Sequence, residues 1–459
     1  MVAVQLFVDP IVGLADNGDF SRVMKPVGLT YLTDRPEERY WGWSLKKFGV
    51  DGRREMQAET PPSEFLLAKA AAGLDRLRAP RGPFDIRELG AIHLALLLAF
   101  LALVAAASRD LGVMPRWTAL VLAVFFFTDV GYVAPFNSLY GQVASLLFFL
   151  LAAGIAGLGI RRGRLDGAAL LAYFACSTLF VVSKPQECLH GPILAALGIA
   201  LARAPGRRVG REPAVWLGIA LCAVALWSYS VIPRRAVREV GLYHSVFMEL
   251  LRTSPDPASD LAAMELDASL ARHVGVTAYA PEAPLAVPAF RAAFFERFGY
   301  ADLLRFYATH PQRLVDRLRR AARRAFTLRP GNLGNFGLAS GLPAGARSRH
   351  FDAWSSARAS LGRGGWFWIV ALLGVNLVAA LRAGARSELL LRDGLIALCA
   401  MAALEFGVCA MADFLDDVSR HLYVFQAMLD LLLIIDVAWL AWILSGRRID
   451  RVAPGALAE

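Results

Sequence analysis

The sequence predicts an all-α polytopic membrane protein with about ten transmembrane helices and two long loops on one side. Three observations carry that prediction. The chain is too apolar for a soluble fold of its length: 56% of its 459 residues are hydrophobic and 19% are charged, where soluble domains carry roughly 25% charged residues. Apolar windows of roughly 17–22 residues recur, the length that crosses a hydrocarbon core. In lipid the backbone must bond within its own segment, which makes such windows helices rather than open strands.

The first apolar run, Val2 to Leu14, is short for a span and contains Asp9 and Pro10. No basic n-region precedes it, so it does not read as an ordinary signal peptide. Of two readings, a re-entrant piece or the remainder of a longer first helix, the second is preferred. A polar stretch follows from Asp16 to about Glu88. The further windows then fall near 89–108, 117–134, 143–160, 168–183, 190–203, 214–232, 366–382, 394–412 and 422–445. Three parts are expected: an N-terminal transmembrane module with the first loop (1–232), a large extracytoplasmic loop (233–365) and C-terminal transmembrane helices (366–459).

Orientation follows from basic residues in short connectors, which stay inside. Arg109 and Arg116, Arg161 to Arg164, Arg203 to Arg211, Arg382 to Arg392, and the terminal Arg447, Arg448 and Arg451 alternate regularly. The remaining polar clusters then share the outer face. They are DNGDFSRVMK after the first run, DVGYVAPFNSLYGQ (129–142), SKPQECLH (183–190) and DFLDDVSRHLY (413–423). The expected location is a bacterial inner (plasma) membrane, with the site facing the periplasm or cell exterior.

The net charge of +10 suits anionic headgroups and phosphate-bearing ligands rather than nucleic acid, for which no aromatic-interleaved basic stripe exists. Cys176, Cys188, Cys222, Cys399 and Cys409 show no ligand spacing and read as buried small hydrophobes. In the large loop, ADLLRFYATHPQRLVDRLRRAARRAF (301–326) repeats Leu314, Leu318, Ala322 and Phe326 on one helical face. Arg313, Arg317, Arg320 and Arg324 lie on another. This pattern predicts an amphipathic helix on the membrane surface, anchoring to lipid or guiding a lipid phosphate. FDAWSSARASL (351–361) predicts a second interfacial segment, and YWGW (40–43) reads as aromatic anchoring or a sugar-stacking surface.

Carboxylates and cations clustered at such a boundary suit group transfer from a lipid phosphate. A carboxylate serves as general base for a hydroxyl acceptor, and Lys or Arg neutralises the departing phosphate. Asp16 and Asp19, spaced i and i+3, are the candidate bases, with Asn17, Arg22 and Lys25 beside them for substrate; one of the pair as a mere helix cap is the structural alternative. Asp129, Tyr132, Asn137, Tyr140 and Gln142 occupy a tight connector whose amides and phenols either hold sugar hydroxyls or only close the turn. Lys184, Gln186 and Glu187 sit at a proline-broken helix, where ionisable groups face a cavity or a partner. Arg420, with His421 next to it, is the better phosphate clamp because its planar fork binds two oxygens. Asp413, Asp416 and Asp417 read equally as helix caps, and Glu405 as a deep counter-charge. Asp16 and Asp19 could share a divalent cation, but the spacing identifies no third ligand, so no metal or other cofactor is expected.

DNGDFSRVMKPVGL, FNSLYG, SKPQ and NLGNF (332–336) together resemble the WsfD-like glycan hexosyltransferases of the GT-C superfamily. The resemblance implies a polyprenyl-phosphate-linked sugar donor, a glycan or lipid-linked acceptor, action on the outer side and an early acidic catalytic residue. That residue falls on Asp16 or Asp19. Where many relatives place an acidic residue after the third span, this chain has Gln142, a departure that leaves a second carboxylate without a counterpart. The function expected is inverting sugar transfer with an Asp base, its partners being donor, acceptor and membrane lipids, with no nucleic acid. The alternatives are a lipid-linked saccharide flippase or transporter, a glycan polymerase or ligase, and a non-catalytic assembly subunit.

Overall fold

Each apolar window carries a helix in the computed structural model, which describes residues 1–51, 62–202, 211–231, 234–383, 388–412 and 418–445. Asp413, Asp416 and Asp417 lie outside the described residues, as do Arg203, Arg207, Arg208, Arg386, Arg447, Arg448 and Arg451. The chain is mostly helical and polytopic, but fewer helices qualify as spans than the expected ten. Among the described residues six are long and apolar enough to cross a membrane: Arg87–Ala107, Gln142–Arg162, Glu212–Val231, Ala353–Arg382, Leu389–Ala412 and Tyr423–Leu444. A seventh is Val113–Phe127 taken together with Val130–Asn137, a pair bent by 55°. The windows near 168–183 and 190–203 give shorter helices, Gly167–Val181 and Gly191–Leu201. The first run is helical only over Val2–Phe7.

Gln142–Arg162 is the most enclosed of the spans. It packs against Arg87–Ala107 on one side and Gly167–Val181 on the other. Small residues permit this closeness: a Cβ on Gly154 would stand 2.9 Å from Leu103 Cβ. Its N-terminus is closed from outside the span. Buried Glu64, first residue of the Glu64–Arg78 helix, accepts from Ala144 N at 3.0 Å and contacts His93 Nε2 at 2.9 Å. A carboxylate at that position satisfies an orphan amide and complements the helix dipole.

The first long loop contains a small sheet that the sequence did not announce. Strands β1 (Leu29–Thr30), β2 (Lys47–Val50) and β3 (Phe84–Asp85) are antiparallel in the order β1-β2-β3. Leu29 pairs with Val50 and Phe48 with Phe84. The buried faces of Phe48 and Phe84 join Phe20, Tyr140, Ala68 and Ala71 in one apolar cluster. A soluble-style core therefore backs the loop that begins at Asp16.

Two expectations for the large loop are corrected. The Pro311–Arg324 helix turns Arg313, Arg317 and Arg320 onto protein partners, while Arg324 stays exposed. Arg317 is fully buried and donates to the carbonyls of Ala410 (2.6 Å) and Ser245 (3.1 Å) and to the Tyr307 hydroxyl (3.1 Å). Arg320 donates to Glu249, and Arg313 pairs with Asp260. Helix-end and turn carbonyls need donors just as headgroup phosphates attract them, and the periodicity of the sequence does not distinguish the two. The segment at 351–361 is likewise not separate. Ala353–Leu361 continues through a 3₁₀ turn at Gly362–Gly364 into Gly365–Arg382, making one 30-residue helix. Gly362 and Gly365 are where it crosses Pro311–Arg324; a Cβ on Gly365 would lie 2.3 Å from Ala322 O.

Candidate functional site

The stretch DNGD forms a tight turn ahead of the Ser21–Val27 helix. Buried Asp16 holds that turn: its Oδ1 accepts from Gly18 N (2.7 Å) and Phe20 N (3.1 Å), and its Oδ2 from the Tyr31 hydroxyl (2.5 Å). Gly18 has φ +106, a conformation suited to glycine. Burial raises the Asp16 carboxyl above its ordinary value despite the three donors aimed at it. Asp16 is spent on the turn, whereas Asp19 reaches other side chains.

Asp19 meets Arg420, 401 positions later in the chain. Its other oxygen is 3.5 Å from Arg22, which is about half exposed. Burial opposes charge on Asp19, but Arg420 and then Arg22 overcome it and hold the carboxyl well below the usual carboxylate range. The Arg420 guanidinium also lies 5.3 Å from the centroid of the Tyr140 ring, within cation–π reach. The Tyr140 hydroxyl donates to Ala15 O (2.8 Å) and accepts from Asn17 N (3.0 Å). Burial pushes the Tyr140 phenol well up, so it acts as a neutral hydrogen-bonding post. Lys25 is in the last turn of the Ser21–Val27 helix, half-buried.

The register of this turn is set by the other long loop. NLGNF runs alongside residues 13–15: Gly13 N donates to Asn335 O and Ala15 N to Gly334 O, both at 2.9 Å. Buried Asn335 donates from its amide to Gly13 O (2.8 Å) and accepts from Arg329 (2.9 Å) and Ser348 N (3.2 Å). Gly334 is required because a Cβ there would lie 2.1 Å from Gly42 O. NLGNF thus holds the scaffold of the site rather than lining it.

SKPQ forms the second half. The Gln186 amide donates to His421 O (3.4 Å) and Glu405 Oε1 (3.3 Å), which ties the Pro185–His190 turn to the residue after Arg420. Lys184 is half-buried at the start of that turn and makes no ion pair among the described residues. Its charge acts on Glu187 and Glu405. His421 acts on Asp19 through charge. Asp16, Asn17, Asp19, Arg22, Tyr140, Gln186, Arg420 and His421 are thereby brought together, with Lys184 and Glu187 on the adjoining turn.

Three residues of the 129–142 connector go elsewhere. Asp129 caps Val130–Val133 by accepting from Gly131 N (2.7 Å), and it also accepts from Ser355 N (3.0 Å). The Tyr132 hydroxyl donates to Asp430 (2.7 Å) within a buried network containing Arg358 and Trp354. Instead of facing a sugar, the Asn137 amide donates to Leu6 O (3.0 Å) and Val12 O (2.9 Å) and pins the first segment down. Gln142 opens its span and is buried. Tyr31 is the site residue that sequence reasoning missed; only its place among aromatics, with Tyr40 at 5.8 Å and Arg39 over its ring, hints at a role.

A separate cavity of about 920 Å³ is lined by Arg252, Arg320, Arg323, Arg324 and Arg363, with Glu249 and Thr327 among its other residues. None of the residues around Asp19 lines it.

Compared with known proteins, residues 1–451 match the family profile described as YfdI N-terminal transmembrane domain. No curated protein and no solved structure matches the chain.

Proposed function

This chain belongs to the YfdI N-terminal transmembrane domain family, and from that premise we propose that it is a membrane glycosyltransferase using a polyprenyl-phosphate-linked sugar. The family match over almost the whole chain and the resemblance of its motifs to GT-C enzymes support the class. The observation that carries the reading is the Asp19–Arg420 pair: a reachable carboxylate and a phosphate-binding guanidinium, joined at the head of the helices.

In this reading Asp19, not buried Asp16, is the general base. In the resting pair Asp19 is a poor base, because Arg420 holds its pKa low. A donor phosphate competes for Arg420, and the guanidinium fork turns to the phosphate oxygens. Asp19 then loses its counter-charge and gains basicity when donor is present. It takes the proton of the acceptor hydroxyl, whose oxygen attacks the anomeric carbon with inversion, and the C–O bond to phosphate breaks. Arg420 and Lys184 receive the charge that collects on the leaving polyprenyl phosphate. Asn17 and Gln186 hold sugar hydroxyls. In this reading the site faces the outside, because the basic residues Arg109, Arg116, Arg161 and Arg162 in short connectors mark the opposite ends of those spans as inside.

The test is transfer in proteoliposomes loaded with polyprenyl-phosphate sugars. A new glycosidic bond that disappears in Asp19→Asn, with expression and donor binding retained, is the expected result. Normal transfer by Asp19→Asn overturns the mechanism, and movement of lipid-linked sugar with no new bond overturns the class.

A further inference from the structure

Three side chains that the proposed chemistry does not use converge next to the site. Glu187 and His190 come from the Pro185–His190 turn and Glu405 from the Leu389–Ala412 helix. All three are buried, and their ligand-capable atoms lie within 4.8 Å of one another. His190 Nε2 is 2.9 Å from Glu405 Oε2 and 3.6 Å from Glu187 Oε2. The decisive feature is Glu187. Its side chain is fully buried, it aims at the other two, and neither oxygen has a hydrogen-bond partner among the described residues. Burying a carboxylate without a donor is costly, and polar groups left unpaired in a protein interior call for a bound partner. Lys184 acts on the cluster only as a nearby charge.

We propose that Glu187, His190 and Glu405 bind one divalent cation. Two carboxylates and an imidazole suit a transition-series ion such as Zn²⁺ or Mn²⁺, whereas Mg²⁺ and Ca²⁺ favour all-oxygen shells. Ligand bonds of about 2.0–2.2 Å at tetrahedral angles put ligand atoms about 3.4 Å apart, so binding opens the 2.9 Å His190–Glu405 contact slightly and seats Glu187 near its present 3.6 Å from His190. Binding replaces the proton that His190 Nε2 shares with Glu405, so that nitrogen offers its lone pair and the ring proton moves to Nδ1. The ion joins the 185–190 turn to the Leu389–Ala412 helix. Through Gln186 and its bond to His421 O, it also fixes the short Val418–His421 helix that carries Arg420, just ahead of the last span. The sequence spacing of these residues, 187, 190 and 405, conceals the set because the third ligand is more than two hundred positions away.

The experiment uses full-length protein without a polyhistidine tag, in detergent or nanodiscs. Metal content is measured by mass spectrometry after purification with Zn²⁺ or Mn²⁺ present, and thermal unfolding is followed with and without EDTA. The wild type is expected to retain about one equivalent and Glu187→Gln less than about a tenth of that, in keeping with the 10–100-fold or larger losses from disturbing metal sites. EDTA should lower the wild-type midpoint, re-addition of the ion should restore it, and Glu187→Gln should respond to neither. Should the variant fail to fold, chelation and restoration of the wild type decide alone. A wild type that carries no bound ion and ignores EDTA overturns the proposal, and the trio is then a carboxylate pair sharing protons with His190. These readouts need no sugar transfer, so they stand apart from the fate of the glycosyltransferase reading.

Discussion

Replacing Asp19 by Asn has an effect of opposite sign on binding and on transfer. In the resting protein Arg420 divides its fork between Asp19 and the Tyr140 ring, and a donor phosphate must win it from the carboxylate. At an effective dielectric of about 20, two unit charges about 4 Å apart attract by about 4 kcal/mol. Desolvation offsets much of that, leaving about 1.5–3 kcal/mol for a hydrogen bond between charged partners. Asp19→Asn removes this competitor, so polyprenyl monophosphate without sugar should bind about 10–100-fold more tightly at about 1.4 kcal/mol per tenfold. Arg420→Gln should weaken the same binding by a similar factor. Transfer in Asp19→Asn should fall about 10²–10⁴-fold, the usual contribution of a positioned base. Binding is read by titrating the lipid phosphate into nanodisc-reconstituted protein, and transfer by product mass. Weaker lipid-phosphate binding by Asp19→Asn than by wild type refutes the competition for Arg420, whatever transfer does.

Asp430→Asn should destabilise the protein by about 3–5 kcal/mol, because it strands buried Arg358; a shift under about 1 kcal/mol in reversible unfolding contradicts the account. Gly334→Ala should cost about 1–3 kcal/mol by overpacking against Gly42 O and should depress transfer along with stability, whereas an unchanged melting midpoint shows the strand contact to be loose. Asp19 has a depressed folded pKa, so the stability it contributes is present above about pH 4 and lost as pH falls through the folded value. A melt series at acid pH should therefore flatten in Asp19→Asn, and identical acid limbs speak against the pair. Asp16 runs the other way: its raised value gives stability that is full below about pH 4 and declines as pH rises through the folded value, which Asp16→Asn should abolish.

Much of the site was legible because charge is expensive in so apolar a chain. Asp19 and Arg420 stood out for that reason, and they do pair, with Gln186 tied to His421 O beside them. Asn137, Asp129 and Tyr132 stood out equally and have structural work, since the ends of broken helices leave carbonyls and amides that need partners just as a sugar does. Arg317 illustrates the same ambiguity on an amphipathic face. What remained hidden was pairing across distance: Glu64 capping a span that begins at residue 142, Asn335 beside Gly13, and the union of Glu187 with Glu405. Three strands of two to four residues are too short for a period to register.

The strip of backbone bonds between residues 13–15 and 334–335 bears on how the protein is made. The acidic turn leaves the ribosome early, yet its lateral support and its arginine partner are translated more than three hundred residues later. Nascent chains that stop before that point hold the first loop by its own sheet and by Tyr140 and Asn137, and the Arg420 pair forms only when the end of the chain inserts. Fragments cut between the two strips should accordingly regain the pocket only when co-expressed in the same membrane.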